Sequence, residues 1–396
     1  MELDRWELGR GTGPLKGVRV VEIAGIGPGP HACTILADLG ADVIRVERPG
    51  GNALGGGAHD LTNRGRPSVA LDLKSPEAIE TVLRLVETAD VLVEGLRPGV
   101  TERLGLGPDA CLGRNPRLIY GRMTGWGQDG PLAHTAGHDL TYIATSGALF
   151  NLGQDPGRPQ FPLNLAGDFG GGSTYLVIGV LAALLEARTS GQGQVVDAAI
   201  VDGISHLSTM SYAHLRLGAL NADRRAAGLL DGGMPYYSTY ECSDGRHVAV
   251  GPIEPQFYAE LGRLLGPYLP PPFDAAELPG QWDFDRLDEL REILTATFRT
   301  RTMAEWAETF EGTDACVAPV LTLTEAADHP HLRARGTLVE VDGVLQPAPA
   351  PRFSRTPATL TTPPPTAPGQ HTVEALTAWG ITGVDGLVES GAAVQA

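Results

Sequence analysis

Two short segments contain side chains that can move protons. In Gly137-His138-Asp139 an imidazole, which titrates near neutral pH, adjoins a carboxylate. In the second segment Asp168 is followed, after Phe169, by three glycines that leave open space around the carboxylate. These residue types suit general acid and base catalysis. On the pattern alone, the more common roles are a hydrogen-bonding histidine and an aspartate that caps a helix or turn.

Other charged residues indicate a ligand site less directly. Glu254 lies between two prolines after a predicted strand, where loops often carry function, but a solvated acid is the stronger interpretation on the pattern alone. Five arginines lie at the ends of predicted strands or in the loops that follow: Arg45, Arg48, Arg64, Arg66 and Arg97. Open α/β sheets bind ligands there, so the cluster is compatible with an anion such as a phosphorylated adenosine. Surface solubility is the alternative.

Several cofactor and hydrolase motifs do not fit this sequence. The loop Gly25–Pro30 has glycines at 25, 27 and 29, which do not match the dinucleotide spacing, and its two prolines lack amide donors that a phosphate would need. No Gly-x-Ser-x-Gly elbow supports a hydrolase triad. The sequence therefore implies no metal or redox cofactor.

Composition limits the partners and the compartment. The 396 residues include 30 Lys plus Arg against 47 Asp plus Glu, a formal net charge of −17, which argues against nucleic acid. The four cysteines are widely scattered, as in a protein of a reducing compartment. The longest apolar stretch, Tyr175–Leu185, is 11 residues and too short to span a bilayer. No secretory signal opens the chain, so we expect a soluble, cytoplasmic protein without membrane insertion.

The elements that must position these residues begin with a βαβ unit. The pattern predicts a strand at 18–23, the Gly/Pro turn, a helix at 31–39 and a strand at 42–46. Their spacing is that of a right-handed parallel crossover. The alternation continues with the segments 69–73, 76–88, 91–94 and 118–122. We therefore predict an α/β fold with a large, doubly wound, Rossmann-like domain.

The remaining patterns predict a second, smaller domain. An apolar helix at 173–186, a strand at 194–199 and a helix at 203–217 precede a composition shift near Gly232. The sequence after this shift indicates an α+β domain. It predicts a hairpin at 236–241 and 247–250 and helices at 287–298 and 303–310. We predict the first part of the large domain at 1–203, a linker helix region at 204–231, the small domain at 232–328, and a return to the large domain at 329–396.

Longer stretches of the chain resemble the family III CoA-transferase superfamily. Those that carry the resemblance include GPLKGVRVVEIAGIGPGPHA, LADLGADVIRVERPG, AGHDLTYIATSG, NLAGDFGGGS, GQGQVVDAAIVDG and EPQFY. Within the superfamily the chain resembles the bacterial 2-methylacyl-CoA racemases. The resemblance covers nearly the whole chain, apart from the segment through Thr12 and the tail beyond Thr372.

The resemblance implies a fold, a reaction and a set of site residues. It implies an interlocked homodimer that acts on an acyl-CoA thioester, with no cofactor beyond the CoA of the substrate. His138 and Asp168 would exchange a proton on opposite faces of the carbon alpha to the thioester, and Asp139 and Glu254 would support them. Arg45 and Arg97 match positions near the CoA nucleotide. Proton exchange through an enolate needs a base on each face and donors at the thioester oxygen, for which we expect backbone amides near Asp139.

One segment departs from the pattern of these racemases. They have a methionine-rich surface for the acyl chain, whereas Ile204–Leu220 holds only Met210, together with His206, Tyr212 and His214. Thioethers adapt to shifting apolar ligands better than rings do. The preferred acyl chain therefore does not follow from the resemblance.

Two alternatives differ from racemisation in what they require. A CoA transferase of the same superfamily would use Asp168 as a nucleophile and would need no second base, so His138 favours the racemase. A non-catalytic thioester-binding protein would not need His138, Asp168 and Glu254 together.

Overall fold

The computed structural model describes residues 6–51, 57–274 and 278–396. It contains a seven-stranded sheet of β1 (Arg19–Ile23), β2 (Asp42–Glu47), β3 (Ser68–Leu71), β4 (Val91–Glu94), β5 (Ile119–Thr124), β6 (Gln194–Ala199) and β12 (Ala393–Val394). Their order across the sheet is β12-β3-β2-β1-β4-β5-β6. Strands β1 to β6 run parallel to one another, and β12 pairs antiparallel with β3 at the edge.

Five further strands form two small antiparallel sheets. One is the three-stranded sheet of β7 (Ser238–Glu241), β8 (His247–Val250) and β9 (Val317–Pro319), and the other is the hairpin of β10 (Leu338–Val341) and β11 (Val344–Pro347).

Helices connect these strands. The first eight are α1 (Pro28–Asp38), α2 (Pro76–Val86), α3 (Val100–Leu104), α4 (Pro108–Arg114), α5 (Asp139–Thr145), α6 (Thr174–Ser190), α7 (Ile200–Leu207) and α8 (Thr209–Leu217). The others are α9 (Pro255–Leu265), α10 (Leu287–Phe298), α11 (Met303–Phe310), α12 (Leu323–Ala326), α13 (Pro330–Arg335), α14 (Thr372–Ala378) and α15 (Val384–Glu389). A π-helix, Leu165–Ser173, leads directly into α6. Short 3-10 turns occur at Leu61–Asn63, Ala148–Asn151, Gly266–Tyr268 and Phe284–Arg286.

Both faces of the large sheet are covered by apolar side chains, as in a doubly wound fold. Consecutive residues of β1 belong to different cores, since Val20 packs with α1 and α6 whereas Val21 packs with α2 and α14. Side chains of a strand alternate between faces, so two consecutive buried apolar residues show that both faces of the sheet are covered. The predicted α/β class with a large, mainly parallel sheet is confirmed.

Individual elements match the sequence patterns to different degrees. The strands at 91–94 and 194–199 and the helices at 287–298 and 303–310 have the predicted bounds. α1 begins three residues before the predicted 31, because proline is tolerated in a first helical turn. The single helix predicted at 203–217 is instead two helices separated at Ser208, and the first begins directly after β6.

The chain groups into two compact units. The first comprises residues 1–146, 163–207 and 331–396, and the second comprises 147–162 and 208–330. The second unit therefore includes the segment 147–162, which the sequence pattern did not single out. The finer division at 203, 231 and 328 stays a prediction about domains.

The π-helix and α6 form one continuous helix, which is longer than the apolar stretch Tyr175–Leu185 of the sequence analysis. Leu165–Ser190 spans 26 residues, and its most apolar 18 residues reach a mean hydropathy of 1.5 with 39% of them buried. Length and composition alone would suit a membrane span. Its side chains Leu176 and Val180 are buried in the core beside the sheet, however, as is usual for a core helix of a soluble α/β protein. The absence of membrane insertion stays a prediction.

Candidate active site

A cavity of about 340 Å³ opens at the carboxyl ends of β1, β4 and β5. Its floor and walls include the loop Gly25–Pro30, the segment Gly95–Pro98 after β4 and the segment Gly125–Trp126 after β5. The strand order reverses between β1 and β4, since β2 and β3 lie on one side and β5 and β6 on the other. Ligands of open α/β sheets bind at such a switch point.

His138 and Asp168 both line this cavity. His138 immediately precedes α5 and has an extended backbone conformation. Its N–H donates to Thr141 Oγ1 at 3.0 Å, and that hydroxyl donates to the carbonyl of His138 at 2.7 Å. This pair of bonds fixes the backbone from which the imidazole projects. The side chain itself is exposed, so the imidazole is open to solvent and to a ligand.

Asp168 is carried by the π-helix and is partly buried. Burial raises the pKa of its carboxyl, the Asn164 amide opposes this by donating to Asp168 Oδ2 at 3.3 Å, and the nearby Asp139 carboxylate raises the pKa further. His138 lowers it by a smaller amount. A carboxyl with a raised pKa can exchange a proton nearer to neutral pH than a solvated one can.

Asp139 lies behind the cavity and holds the π-helix in place. It is 6% exposed, and its Oδ2 accepts a hydrogen bond from the backbone N–H of Asp168 at 2.7 Å. Its Oδ1 is buried and makes no hydrogen bond to any residue that the structure describes. Gly167 is required at the contact, because a Cβ there would overlap Asp139 Oδ2. Asp139 therefore holds the backbone of Asp168 in place and raises the pKa of the Asp168 carboxyl.

Glycines also let the π-helix approach its neighbours. A Cβ on Gly203 would overlap the carbonyl of Gly171, and a Cβ on Gly172 would lie 3.1 Å from Pro28 in the loop of the cavity. π-helical turns are rare and frequently occur at functional sites. The run of glycines after Asp168 therefore serves close backbone packing as well as open space.

The two arginines singled out from the sequence have different surroundings. Arg97 lines the cavity, is exposed, and forms no ion pair within residues 6–51, 57–274 and 278–396. Arg45 is 5% exposed and pairs with Glu22, and its Nε lies 3.8 Å from Glu47. Arg97 has the placement of a ligand-binding cation. Arg45 would have to leave a buried ion pair to contact a ligand, so a direct contact with CoA stays a prediction that its burial does not favour.

Glu254 belongs to the second unit. It immediately precedes α9, with an extended backbone and proline as the next residue. Its side chain is exposed. The predicted supporting role at the site stays a prediction.

The structure adds residues to the site that the sequence pattern did not single out. Asn164 contacts Asp168 from four residues earlier, a spacing that brings two side chains onto one face of a helix. That spacing could have been noticed, had the segment before Asp168 been predicted as helical. Tyr142 lines the cavity one turn after His138. Only the fold around it shows that its ring faces the cavity.

The fold and the cavity thus define an α/β protein with an imidazole and a carboxyl at the switch point of its sheet, and comparisons with known proteins specify the family. The sequence model described as CoA-transferase family III matches residues 15–372. The chain therefore belongs to CoA-transferase family III.

Curated relatives in this family bear a more specific name. The Mus musculus alpha-methylacyl-CoA racemase is 44% identical over 370 residues, which cover 93% of this chain and 94% of the mouse protein. The Homo sapiens alpha-methylacyl-CoA racemase is 41% identical over 371 residues, with coverages of 93% and 94%. Among solved structures, a CAIB/BAIF family protein from Brucella suis superposes with a TM-score of 0.76 at 28% identity, covering 93% of this chain and 100% of that chain.

Proposed function

We propose that this protein is an isomerase that interconverts (2R)- and (2S)-2-methylacyl-CoA thioesters. The observation that carries the proposal is that His138 and Asp168, an imidazole and a carboxyl of raised pKa, line one cavity. The mouse and human relatives named alpha-methylacyl-CoA racemase, at 44% and 41% identity, support the same substrate and reaction. The acyl-CoA would supply its own CoA, and no other cofactor is proposed.

The proposed reaction removes a proton from one face of the alpha carbon and returns one to the other face. In one direction ionised Asp168 accepts the proton, the electron pair of the C–H bond moves towards the thioester, and negative charge develops on its oxygen. Protonated His138 then delivers a proton from the opposite face. In the reverse direction His138 is the base and Asp168 the acid.

The surrounding residues have supporting roles in this proposal. Asp139 positions Asp168 through the backbone N–H and disfavours its ionised form. The first backbone amides of α5, beginning at Asp139, would donate to the thioester oxygen. Arg97 would bind the anionic nucleotide of CoA, and Glu254 would assist the site as its match to the racemases implies.

A homodimer belongs to the same proposal. Large apolar side chains are exposed along the segment 161–217 of the single chain, a stretch that would be costly to leave in water. They are Phe161, Leu163, Leu165, Ile178, Leu185, Val195, Leu207, Met210, Tyr212, Leu215 and Leu217. A second copy of this chain would cover such surfaces. Light scattering coupled to size exclusion would give the mass, with one chain weighing 41.6 kDa.

A reducing compartment such as the cytoplasm is proposed as well. All four cysteines are free thiols, and Cys33, Cys111 and Cys242 are buried. A protein of an oxidising compartment would more often pair them.

Proton NMR in deuterated water tests the reaction. Each epimer of a 2-methylacyl-CoA is incubated with the enzyme, and a carboxylic acid acceptor is added in a parallel tube. We expect deuterium to enter at the alpha carbon and the two epimers to converge. His138→Ala or Asp168→Ala should lower the rate at least about a hundredfold, the usual scale for a positioned acid or base. Near-normal rates in both variants would rule out the two-base mechanism.

The second candidate is CoA transfer, which the family description itself favours. In that reaction the Asp168 carboxylate would attack the thioester carbonyl and release CoA as the leaving thiolate. Transfer of CoA to the added acid without exchange at the alpha carbon would establish this alternative. It would also make His138 a structural residue.

A further inference from the structure

Tyr142 occupies a closely fitted slot at the wall of the cavity. It is 8% exposed, and its ring meets Trp126 edge-on, with 4.8 Å between ring centroids and 84° between ring planes. Gly125 and Gly137 complete the slot, because a Cβ on Gly125 would overlap the ring and one on Gly137 would lie 2.5 Å from Tyr142 Cε1. The position of the phenol is therefore set by packing before any ligand binds.

The hydroxyl of Tyr142 has no hydrogen-bond partner within the part of the chain that the structure describes. Two buried tyrosines, Tyr120 and Tyr240, have the hydrogen-bond partner that buried phenols usually find. Tyr120 donates to the carbonyl of Leu106 at 2.8 Å, and Tyr240 donates to the carbonyl of Pro235 at 2.6 Å. The Tyr142 hydroxyl instead belongs to a residue that lines an open cavity, so a ligand there can accept its hydrogen bond.

The charges around Tyr142 keep the phenol protonated. Burial raises the pKa of Tyr142, the negative charge of Asp168 raises it further, and Arg97 partly opposes both. A protonated phenol beside a carboxylate can donate a hydrogen bond but does not compete for the substrate proton at neutral pH. Such a neutral donor is suited to an oxygen on which negative charge develops.

We propose that the Tyr142 hydroxyl donates a hydrogen bond to the thioester oxygen of the bound acyl-CoA as negative charge develops on that oxygen. The inference rests on the proposed function, which places the alpha carbon between His138 and Asp168. The thioester carbonyl is bonded to that carbon, so its oxygen lies within the same cavity that Tyr142 lines. The phenol keeps its proton throughout: Asp168 takes the alpha proton, the oxygen gains charge, and the hydrogen bond strengthens.

The test is Tyr142→Phe, which removes the hydroxyl and keeps the ring in its slot. We expect kcat for epimer interconversion to fall about a hundredfold, the scale for loss of one oxyanion donor. The dissociation constant for CoA and the melting temperature should change little. The matched control is Tyr236→Phe, because that hydroxyl is buried without a hydrogen-bond partner among the described residues and lies in the core of the second unit. The control should keep the parent kcat.

Other outcomes would overturn the inference. An unchanged kcat would show that the hydroxyl does not act on the charged oxygen, and a weaker affinity for CoA with unchanged kcat would make Tyr142 a binding residue only. An assay of the parent enzyme tells failure of the proposed function apart from failure of this inference. If the proposed function is wrong, the parent transfers CoA without exchange at the alpha carbon. Attack on the thioester carbonyl charges the same oxygen, so Tyr142→Phe should then lower kcat for transfer similarly. If Tyr142→Phe transferred CoA as fast as the parent, the inference would be overturned in that case too.

Discussion

Two carboxylates line the cavity from different elements, and they differ in how their charge is balanced. Glu22, at the end of β1, is 1% exposed and pairs with both Arg45 and Arg66. Asp168, on the π-helix, is less buried, receives one side-chain hydrogen bond from Asn164, and has the Asp139 carboxylate nearby. Buried charges that are paired contribute to structure, whereas a carboxyl left under-compensated is available for proton transfer.

The paired carboxylate also fixes the loop that forms the cavity floor. Arg45 Nη2 lies 3.5 Å from the carbonyl of Gly25, and Arg66 Nη1 donates to the carbonyl of Pro30 at 3.1 Å. Glu22 thus holds two cations that contact the two ends of the Gly25–Pro30 loop. The loop lies beside Asp168, since a Cβ on Gly27 would be 3.3 Å from Asp168 Oδ2.

The largest expected effect comes from removing the paired charge. Glu22→Gln keeps the shape of the side chain but leaves Arg45 and Arg66 buried without their shared anion. We expect the free energy of unfolding to fall by about 3–5 kcal/mol, the cost of breaking a buried ion pair. Urea denaturation measures this.

The control for that variant is Glu87→Gln. Glu87 pairs with Arg114 at the surface, where both side chains are more than a third exposed. Its urea midpoint should match that of the parent. Equal midpoints for the Glu22 and Glu87 variants would contradict the contrast between the two carboxylates.

A smaller effect is expected from crowding the contact between Asp139 and the π-helix. Gly167→Ala places a methyl group against Asp139 Oδ2 and 2.9 Å from Ile143 Cγ2, so the bond from Asp168 N–H must lengthen. We expect a loss of about 1–3 kcal/mol of stability from overpacking. The epimerisation rate should fall because Asp168 is displaced.

Gly113→Ala on α4 is the matched control. A Cβ at Gly113 meets nothing within 4 Å, and alanine suits a helix better than glycine. This variant should keep full activity and be as stable as the parent or more so. Full activity in Gly167→Ala would instead show that the contact with Asp139 does not position the acid.

The strands could be predicted from the sequence, whereas the ion pairs of Glu22 could not. β4 is apolar at Val91–Val93 and buried at every position, and this pattern predicted its bounds. Glu22 lies within the β1 strand, and nothing in its spacing shows that Arg45 and Arg66 converge on it. Arg66 follows β1 by more than 40 positions along the chain, and only the pairing of β1, β2 and β3 brings the three together.

The site was predictable in part for a related reason. His138 and Asp168 stand out by residue type and by their glycine neighbours, and the structure brings both to one cavity. The π-helix could not be predicted, because the pattern Leu165–Ser173 is dominated by glycines that disfavour helices in isolation. Packing against α7 stabilises it, through the close approach of Gly171 and Gly203. Asn164 joins the site because the π-helix carries Asp168, and Tyr142 joins it through its packing against Trp126, Gly125 and Gly137.

The smallest expected effect concerns the Asp168 carboxyl, whose pKa the folded protein raises. The folded state raises the pKa of Asp168, so the ionised form costs stability once the pH exceeds the ordinary pKa of an aspartate, and the cost grows until the pH passes the raised value. Asp168→Asn removes the charge and this cost. We therefore expect its melting temperature at pH 7.5 to exceed that of the parent by about 1–3 °C, although the proposed mechanism predicts a loss of activity. The difference should shrink as the pH is lowered and vanish below about 3.9, the ordinary pKa of an aspartate, because the parent carboxyl is then protonated in both states. A variant less stable than the parent at pH 7.5 would mean that ionised Asp168 stabilises the fold, as a paired charge does.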